Sequence, residues 1–470
     1  MKFFAAIATV LASAAMASSA LAEGGYYSGT LGAQASGRSG AFTAKADDVT
    51  AVSYNPAGLA KIPTTVFQVG NAFSYNSSSF TRASTVDYGQ SSAPLVTFNK
   101  VKNGKPWQFL DPLAGVASNL GLKNWGFALS VYAPPGISQE EFPVNGGQRY
   151  MMVSRETMML KYVGSAAWKY GDVFGVGATV EWIHVPRLNY SIVIDGTKEN
   201  TTTHPVSSQY DILAETKGSS VFTFNAILGA WYRPTPFLEF GLSGQIVPTN
   251  IVAHSSLTAT PIPGGLLDSV SLYRGEKFAN DVTLTLPLPM LFRSGARYRH
   301  LSGGREIYDI ELDVEYETWS RVNRFTVDTN GLTAVSGSFS VPINQINIQK
   351  HWRDTVAVKL GGDYAVIPDR LKVRGGGFYE SAVADAAYAN VDFPGGPQIG
   401  GSLGASVFFR RVELAVAYQL RVQPSVSISE ANGRVYQQVP DFPNQPFPTI
   451  NAGTYNAMSH IVALDVLYRY

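Results

Sequence analysis

From Glu306 to Thr318 the chain alternates so strictly that a strand is the only regular structure it fits. Tyr308, Ile310, Leu312, Val314 and Tyr316 share one face, and Asp309, Glu311, Asp313, Glu315 and Glu317 share the other. The window before it mirrors the pattern, with Phe292, Ser294, Ala296 and Tyr298 opposite Arg293, Arg297 and Arg299. Adjacent strands would pair those charges. A soluble sandwich also alternates, but its polar face meets bulk water and its apolar face needs no aromatic ends. Here the apolar faces end in aromatic residues, and the last segment repeats the plan: Val462, Leu464, Val466, Tyr468 and Tyr470 against Asp465 and Arg469. An apolar outer band, aromatic girdles and a polar interior are what a transmembrane barrel needs, because closure leaves no backbone edge unpaired in hydrocarbon. The expected fold is therefore all-β, a transmembrane antiparallel barrel.

Windows of about ten residues recur along the chain, separated by Gly, Pro, Asn and Asp clusters. Strands are expected to start near residues 62, 112, 124, 156, 174, 220, 237, 281, 306, 354, 370, 398, 412 and 459, about fourteen in all. Tight connections such as Tyr170-Gly171-Asp172 and Pro368-Asp369-Arg370 are expected to be periplasmic turns. The long ones, Phe80 to Asp111, Pro134 to Arg155, Asp195 to Lys217, Asp328 to His351 and Ser425 to Tyr455, are expected to be outer loops. Lys2, the apolar run from Phe3 to about Ala17 and Ala20-Leu21-Ala22 form a secretory signal over residues 1–22, with the mature chain starting at Glu23. The barrel is expected over residues 62–470, which leaves 23–61 as an N-terminal plug with short helices. In that plug Asn55 is read as a helix cap and Pro56 as the first helical residue, followed by the small Ala57 and Gly58.

With no cysteine, disulfides and Cys-based zinc sites are excluded, and 36 basic against 35 acidic residues give no field to draw a nucleic acid. The six histidines are scattered without an H-E-x-x-H pattern, so neither metal nor cofactor is expected. Gly400-Gly401-Ser402-Leu403-Gly404 matches the nucleophile pattern of hydrolases, but that motif works at a strand-to-helix turn and Ser402 lies in a strand pattern. No catalytic residue is assigned. Gly375-Gly376-Gly377 is expected to kink a strand.

The chain resembles the FadL family of outer-membrane transporters for long-chain fatty acids and other hydrophobic compounds. The resemblance rests on Gly37-Arg38-Ser39-Gly40-Ala41, Ala46-Asp47-Asp48 and Tyr54-Asn55-Pro56-Ala57-Gly58-Leu59 in the plug. It continues in Leu286-Pro287-Leu288-Pro289, Glu315-Tyr316-Glu317-Thr318-Trp319-Ser320 and Trp352-Arg353-Asp354-Thr355, in the family's order. It implies a fourteen-stranded barrel closed by a hatch, whose gating residues would be Asn55, Pro56, Ala57 and Gly58. Ligand would be released sideways through the wall beside a kinked third strand, here Trp125 to Tyr132 followed by Ala133, Pro134, Pro135 and Gly136. The implied partners are a hydrophobic small molecule, either a long-chain fatty acid or an aromatic or aliphatic hydrocarbon, and the outer-membrane lipids. The protein is expected to be a monomer in the bacterial outer membrane. For a fatty acid's carboxylate, strand alternation points Lys161 inward, and Arg293 and Arg297 are candidates on the same grounds. The alternatives are a general porin and a barrel phospholipase.

Overall fold

The computed structural model describes residues 30–86, 92, 95–134, 139–195, 208–337, 339–437 and 449–470. The signal segment, and with it the cleavage site, lies outside the described residues.

Fourteen antiparallel strands close into a barrel. They are β1 (Val66–Arg82), β2 (Trp107–Ser118), β3 (Trp125–Tyr132), β4 (Ser154–Tyr170), β5 (Phe174–Asp195) and β6 (Asp211–Thr235). Then come β7 (Leu238–Gln245 and Asn250–Pro261), β8 (Asp281–Pro287 and Leu291–Ser302), β9 (Arg305–Glu317 and Arg324–Ser336) and β10 (Phe339–Gln349 and Thr355–Ile367). The circuit ends with β11 (Leu371–Glu380), β12 (Gln398–Phe409), β13 (Val412–Ile428) and β14 (Gly453–Arg469). Closure is made by β1 on β14, in unbroken register from Val66 opposite Arg469 to Arg82 opposite Gly453.

The alternation read in the sequence becomes an inside-out burial pattern. On β9 the carboxylates Asp309, Glu311 and Asp313 are 2%, 0% and 0% exposed, whereas Ile310, Leu312 and Val314 are 40–50% exposed. A soluble fold would reverse those figures. Exposed aromatics ring the short-turn end (Trp125, Tyr170, Phe174, Tyr232, Phe409, Tyr470), and others (Trp182, Phe222, Tyr316, Tyr379, Tyr418) bound the apolar band above. The short turns carry left-handed residues where the chain reverses, Gly171 at φ 53° and Asp369 at φ 60°.

Two expectations are corrected. The segment from Asp328 to His351 is largely a paired hairpin, because Arg324–Ser336 and Phe339–Gln349 continue the barrel wall upward. Gly375-Gly376-Gly377 makes no kink, since it pairs on both sides without a register break.

Strands β7 to β10 are all interrupted at one level, at residues 246–249, 288–290, 318–323 and 350–354. Pro248 and Pro289 stand in two of these breaks, where a residue without an N–H cannot extend the ladder. On β8 the break also exchanges faces. Above it Val282, Leu284 and Leu286 point inward and are buried, and below it the inward residues are Arg293 and Arg297. A shift of one residue moves a whole side-chain row across the sheet. The lumen is thus split into an apolar upper chamber and a charged lower one.

Candidate functional site

The lower chamber is filled by residues 30–62. Two short helices, α1 (Ala33–Ser36) and α2 (Ala51–Tyr54), and a 3-10 turn at Pro56–Lys61 give this hatch its shape. Asn55 is extended (φ −159°), and its Oδ1 accepts the Ala57 N–H at 3.2 Å, which starts the turn at Pro56 as the sequence predicts. The same side chain does more. Its Nδ2 donates to Thr43 O at 3.0 Å and to Ala230 O of β6 at 2.9 Å, so one buried amide ties two hatch segments to the wall. Trp231 Nε1 donates to Ala57 O at 3.0 Å, and a Cβ on Gly58 would lie 2.0 Å from Ala46 O. The four gating candidates therefore sit together at the β5–β6 wall.

The wall makes room for the hatch with glycines. A Cβ on Gly229 would stand 2.2 Å from Asn55 Oδ1, on Gly177 2.6 Å from Ala57 N, and on Gly126 2.3 Å from Leu59 O. On the far side, a Cβ on Gly241 would stand 2.5 Å from Thr43 O, and on Gly361 2.3 Å from Arg38 O. Hatch backbone and wall backbone meet directly at four of these points, and at Gly229 the wall meets the Asn55 side chain.

Charge fixes the far side. Arg38 is fully buried, with Nη1 2.6 Å from Asp309 and 2.7 Å from Asp363, and Nη2 3.1 Å from Glu311. The acidic ladder of β9 also accepts hatch amides: Phe42 and Thr43 donate to Asp313 at 2.9 Å each, and Ala44 donates to Glu311 at 2.6 Å. Within the hatch, burial pushes the Asp48 carboxyl up to about 7, against the pull of the Thr50 hydroxyl and N–H, with Asp47 and Asp465 adding to the rise.

The three cations proposed for a ligand carboxylate all point inward, and each holds a carboxylate of the wall. Arg293 binds Glu315 at 3.0 Å and donates to Ser53 O at 2.7 Å. Arg297 joins Glu306 and Asp309 at 2.6 Å each and Glu239 at 3.2 Å. Lys161 binds Glu181 at 3.0 Å. The arginines lie at hatch level, away from the upper chamber.

That upper chamber contains an apolar pocket. Met159, Leu188, Ile192, Ile251, Leu257, Leu284, Leu286, Phe325, Val327, Ile346, Ile348 and Phe393 line it, with Arg155, Thr157, Asn189, Tyr190 and Thr216 as its polar members. Trp352 stands edge-on to Phe325 and Phe393, with ring centres 5.7 and 5.6 Å apart. Arg155 is the cation in the lining. It lies 4.2 Å over the Phe393 ring and 3.1 Å from Glu140. Sequence reasoning passed over Arg155, although extending the Lys161 alternation up β4 through Met159 and Thr157 reaches it.

In the wall, β3 ends after eight residues beside a β4 of 17. Its last rung pairs Tyr132 with Lys161, and pairing resumes at Gln139 with Glu156. Just past that last rung the Ala133 N–H still donates to Pro112 O of β2 at 2.9 Å. Of the four candidates for a lateral opening, Ala133 and Pro134 follow the end of β3, while Pro135 and Gly136 lie outside the described residues. Ser402 of the hydrolase-like motif is buried in mid-strand on β12, its hydroxyl 2.8 Å from that of Ser39 in the hatch.

Residues 9–470 match the model of a family described as outer membrane protein transport protein (OMPP1/FadL/TodX). A FadL homologue of Pseudomonas aeruginosa has a similar solved structure, at 16% identity over 95% of this chain and 99% of that one, with a TM-score of 0.74. The toluene transporter TbuX of Ralstonia pickettii is 13% identical over 94% and 98%, with a TM-score of 0.59. The toluene transporter TodX of P. putida is 12% identical over 90% and 94%, with a TM-score of 0.61. At such identities the structural likeness speaks to the fold. A search of curated protein sequences gave no match.

Proposed function

This chain belongs to the OMPP1/FadL/TodX family of outer membrane transport proteins, and from that premise we propose that it carries an uncharged hydrophobic compound, such as an aromatic hydrocarbon, across the outer membrane. The supporting observation is the stacked lumen, in which an apolar pocket lies above a floor sealed by ion pairs and backbone contacts. A hydrophobic molecule gains by leaving water there, and a hydrophilic solute meets the seal. Burying about ten methylene-sized groups yields roughly 8 kcal/mol gross, enough for micromolar binding before ordering costs. Two proteins of similar structure, TbuX and TodX, are toluene transporters. An uncharged ligand also suits a pocket whose neighbouring cations already hold carboxylates: Arg155 with Glu140, Lys350 with Asp392, Lys161 with Glu181. In this reading ligand leaves sideways through the wall beside Ala133 and Pro134, and the Asn55-Pro56-Ala57-Gly58 seat governs its exit. The bilayer accepts the molecule without return to water, so this step needs no energy source.

A second reading, a long-chain fatty acid, is favoured by Arg155 alone, since a guanidinium in the pocket lining could trade Glu140 for a ligand carboxylate. The test is mass spectrometry of ligand extracted from the purified protein, with uptake of labelled toluene and palmitate into cells expressing it. Toluene uptake insensitive to Arg155→Leu supports the uncharged class. Palmitate uptake lost on Arg155→Leu or Lys161→Ala, with no toluene uptake, moves the assignment to the acid. Rapid swelling of protein-loaded liposomes in small sugars would replace both with a general porin.

A further inference from the structure

At the short-turn end the wall carries its charge unevenly. Arg370 ends the β10–β11 turn, Arg410 and Arg411 make up the β12–β13 turn, and all three are exposed. The backbone ties them into one arc. The Phe408 N–H, near the end of β12, donates to Arg370 O at 2.9 Å, and the Arg469 N–H, at the end of β14, donates to Arg411 O at 2.8 Å. Paired strands lie about 4.8 Å apart, so the two turns stand roughly 10 Å from each other.

Nearby acids do not neutralise this arc. Asp369 holds Arg305 at 3.3 Å, and Glu413 holds Arg469 at 3.0 Å. Among the described residues no carboxylate pairs with Arg370, Arg410 or Arg411, and the α-carboxyl of Tyr470 leaves them in excess. On the other side of the rim the balance is different, with Lys169 matched by Asp172 at 3.2 Å and Arg233 by Glu239 at 3.3 Å. Arg410 also takes the left-handed conformation, φ 54°, where Gly171 serves the β4–β5 turn at φ 53°. A residue with a Cβ is disfavoured there, and a long cation occupies the position all the same. Exposed rings mark the depth. Phe409 is 61% exposed and Tyr470 74%, and the Arg411 guanidinium lies 5.7 Å from the centre of the Tyr470 ring. Aromatic rings settle at the membrane–water interface, which puts the guanidinium beside Tyr470 at the level of lipid headgroups.

We propose that Arg370, Arg410 and Arg411 form a docking surface for an anionic phospholipid of the leaflet at this end, with the guanidinium groups on its phosphate and the exposed rings against its acyl chains. A guanidinium meets a phosphate with paired N–H donors. A lipid with one net negative charge matches cations in excess, whereas a zwitterionic lipid brings an ammonium of its own to the same place. Bound lipid would steady the part of the wall that also carries Asp363, the β10 partner of Arg38. The inference is independent of what the lumen carries.

The experiment is native mass spectrometry of the full-length protein in detergent, titrated with phosphatidylglycerol or phosphatidylethanolamine, with heat-shifted migration on gels as the check of folding. Wild type should prefer phosphatidylglycerol by about tenfold or more. A cation near a membrane surface contributes about fivefold, so the triple variant Arg370→Gln, Arg410→Gln, Arg411→Gln should lose about a hundredfold of that affinity. The double variant Lys123→Gln, Lys169→Gln, which removes two charges from the other side of the rim, should keep it. Salt at about 1 M, which shortens the screening length to roughly 3 Å, should weaken wild type as the triple variant does. Arg411→Gln alone, with an expected loss of about fivefold, serves if the triple variant does not fold. Equal wild-type affinity for the two lipids, or wild-type affinity for phosphatidylglycerol in the folded triple variant, overturns the docking surface. Displacement of the lipid by inorganic phosphate at equal concentration overturns it as well, by making the arc a site for free phosphate.

Discussion

Replacing Arg38 by Met should unseat the hatch on its charged side. The guanidinium is fully buried and is shared by Asp309, Asp363 and Glu311, with Nε also donating to Ala41 O at 2.8 Å. Removing one member of such a cluster leaves buried carboxylates uncompensated, a loss of about 3–5 kcal/mol. The lower end applies here, because Asp309 keeps Arg297 at 2.6 Å and Asp363 keeps Lys45 at 3.5 Å and Arg374 at 3.4 Å. About 3 kcal/mol corresponds to a hundredfold or more in the closed-to-open ratio of the hatch. Hydrogen exchange reads that ratio directly. The amides of Phe42, Thr43 and Ala44, which donate to Asp313 and Glu311, should lose about a hundredfold of protection, while wall amides of β12 and β13 keep theirs. Wild-type protection at those three amides in a folded Arg38→Met barrel would refute the idea that charge anchors the hatch.

Gly229→Val places a side chain where Asn55 Oδ1 stands 2.2 Å from the Cβ position, so the variant should admit sugars in liposome swelling; Gly377→Ala, whose nearest contact is 3.6 Å, should stay sealed. Asp48 has a folded pKa raised to about 7 by burial, above its ordinary 3.8, so the folded state favours the proton. Hatch stability from this group is fully present below about pH 4, falls as pH rises toward 7 and levels off above it, by at most about 4 kcal/mol. Hatch-amide exchange measured between pH 5 and 8 should show that slope in wild type and lose it in Asp48→Asn; parallel profiles would refute it. Phe393→Ala should weaken equilibrium binding of an uncharged aromatic probe about tenfold to hundredfold by opening the pocket wall, with the sugar seal unchanged.

What could be read in the sequence followed from local periods. The β9 ladder, the final strand and the count of fourteen all rest on a two-residue repeat, which the pleat imposes wherever one face meets lipid. Asn55 and Pro56 were legible because a cap acts on its own next turn. Their wall partners were not: Gly177, Gly229 and Trp231 lie more than a hundred residues away, and nothing near them in the chain marks a seat. The acids of β9 were read as partners for Arg293 and Arg297, and Arg293 does bind Glu315. Those acids also hold Arg38 of the hatch and the backbone N–H groups of Phe42, Thr43 and Ala44, and a backbone N–H is a donor that any residue except proline supplies and no sequence pattern announces. The exchange of faces at Leu288–Met290 was hidden for another reason. Each half of β8 alternates properly by itself, and only the break between them decides that leucines face the lumen above and arginines below. That one-residue change of phase is what separates an apolar pocket from a sealed floor, so the chemistry of the site depends on a register that composition and period leave open.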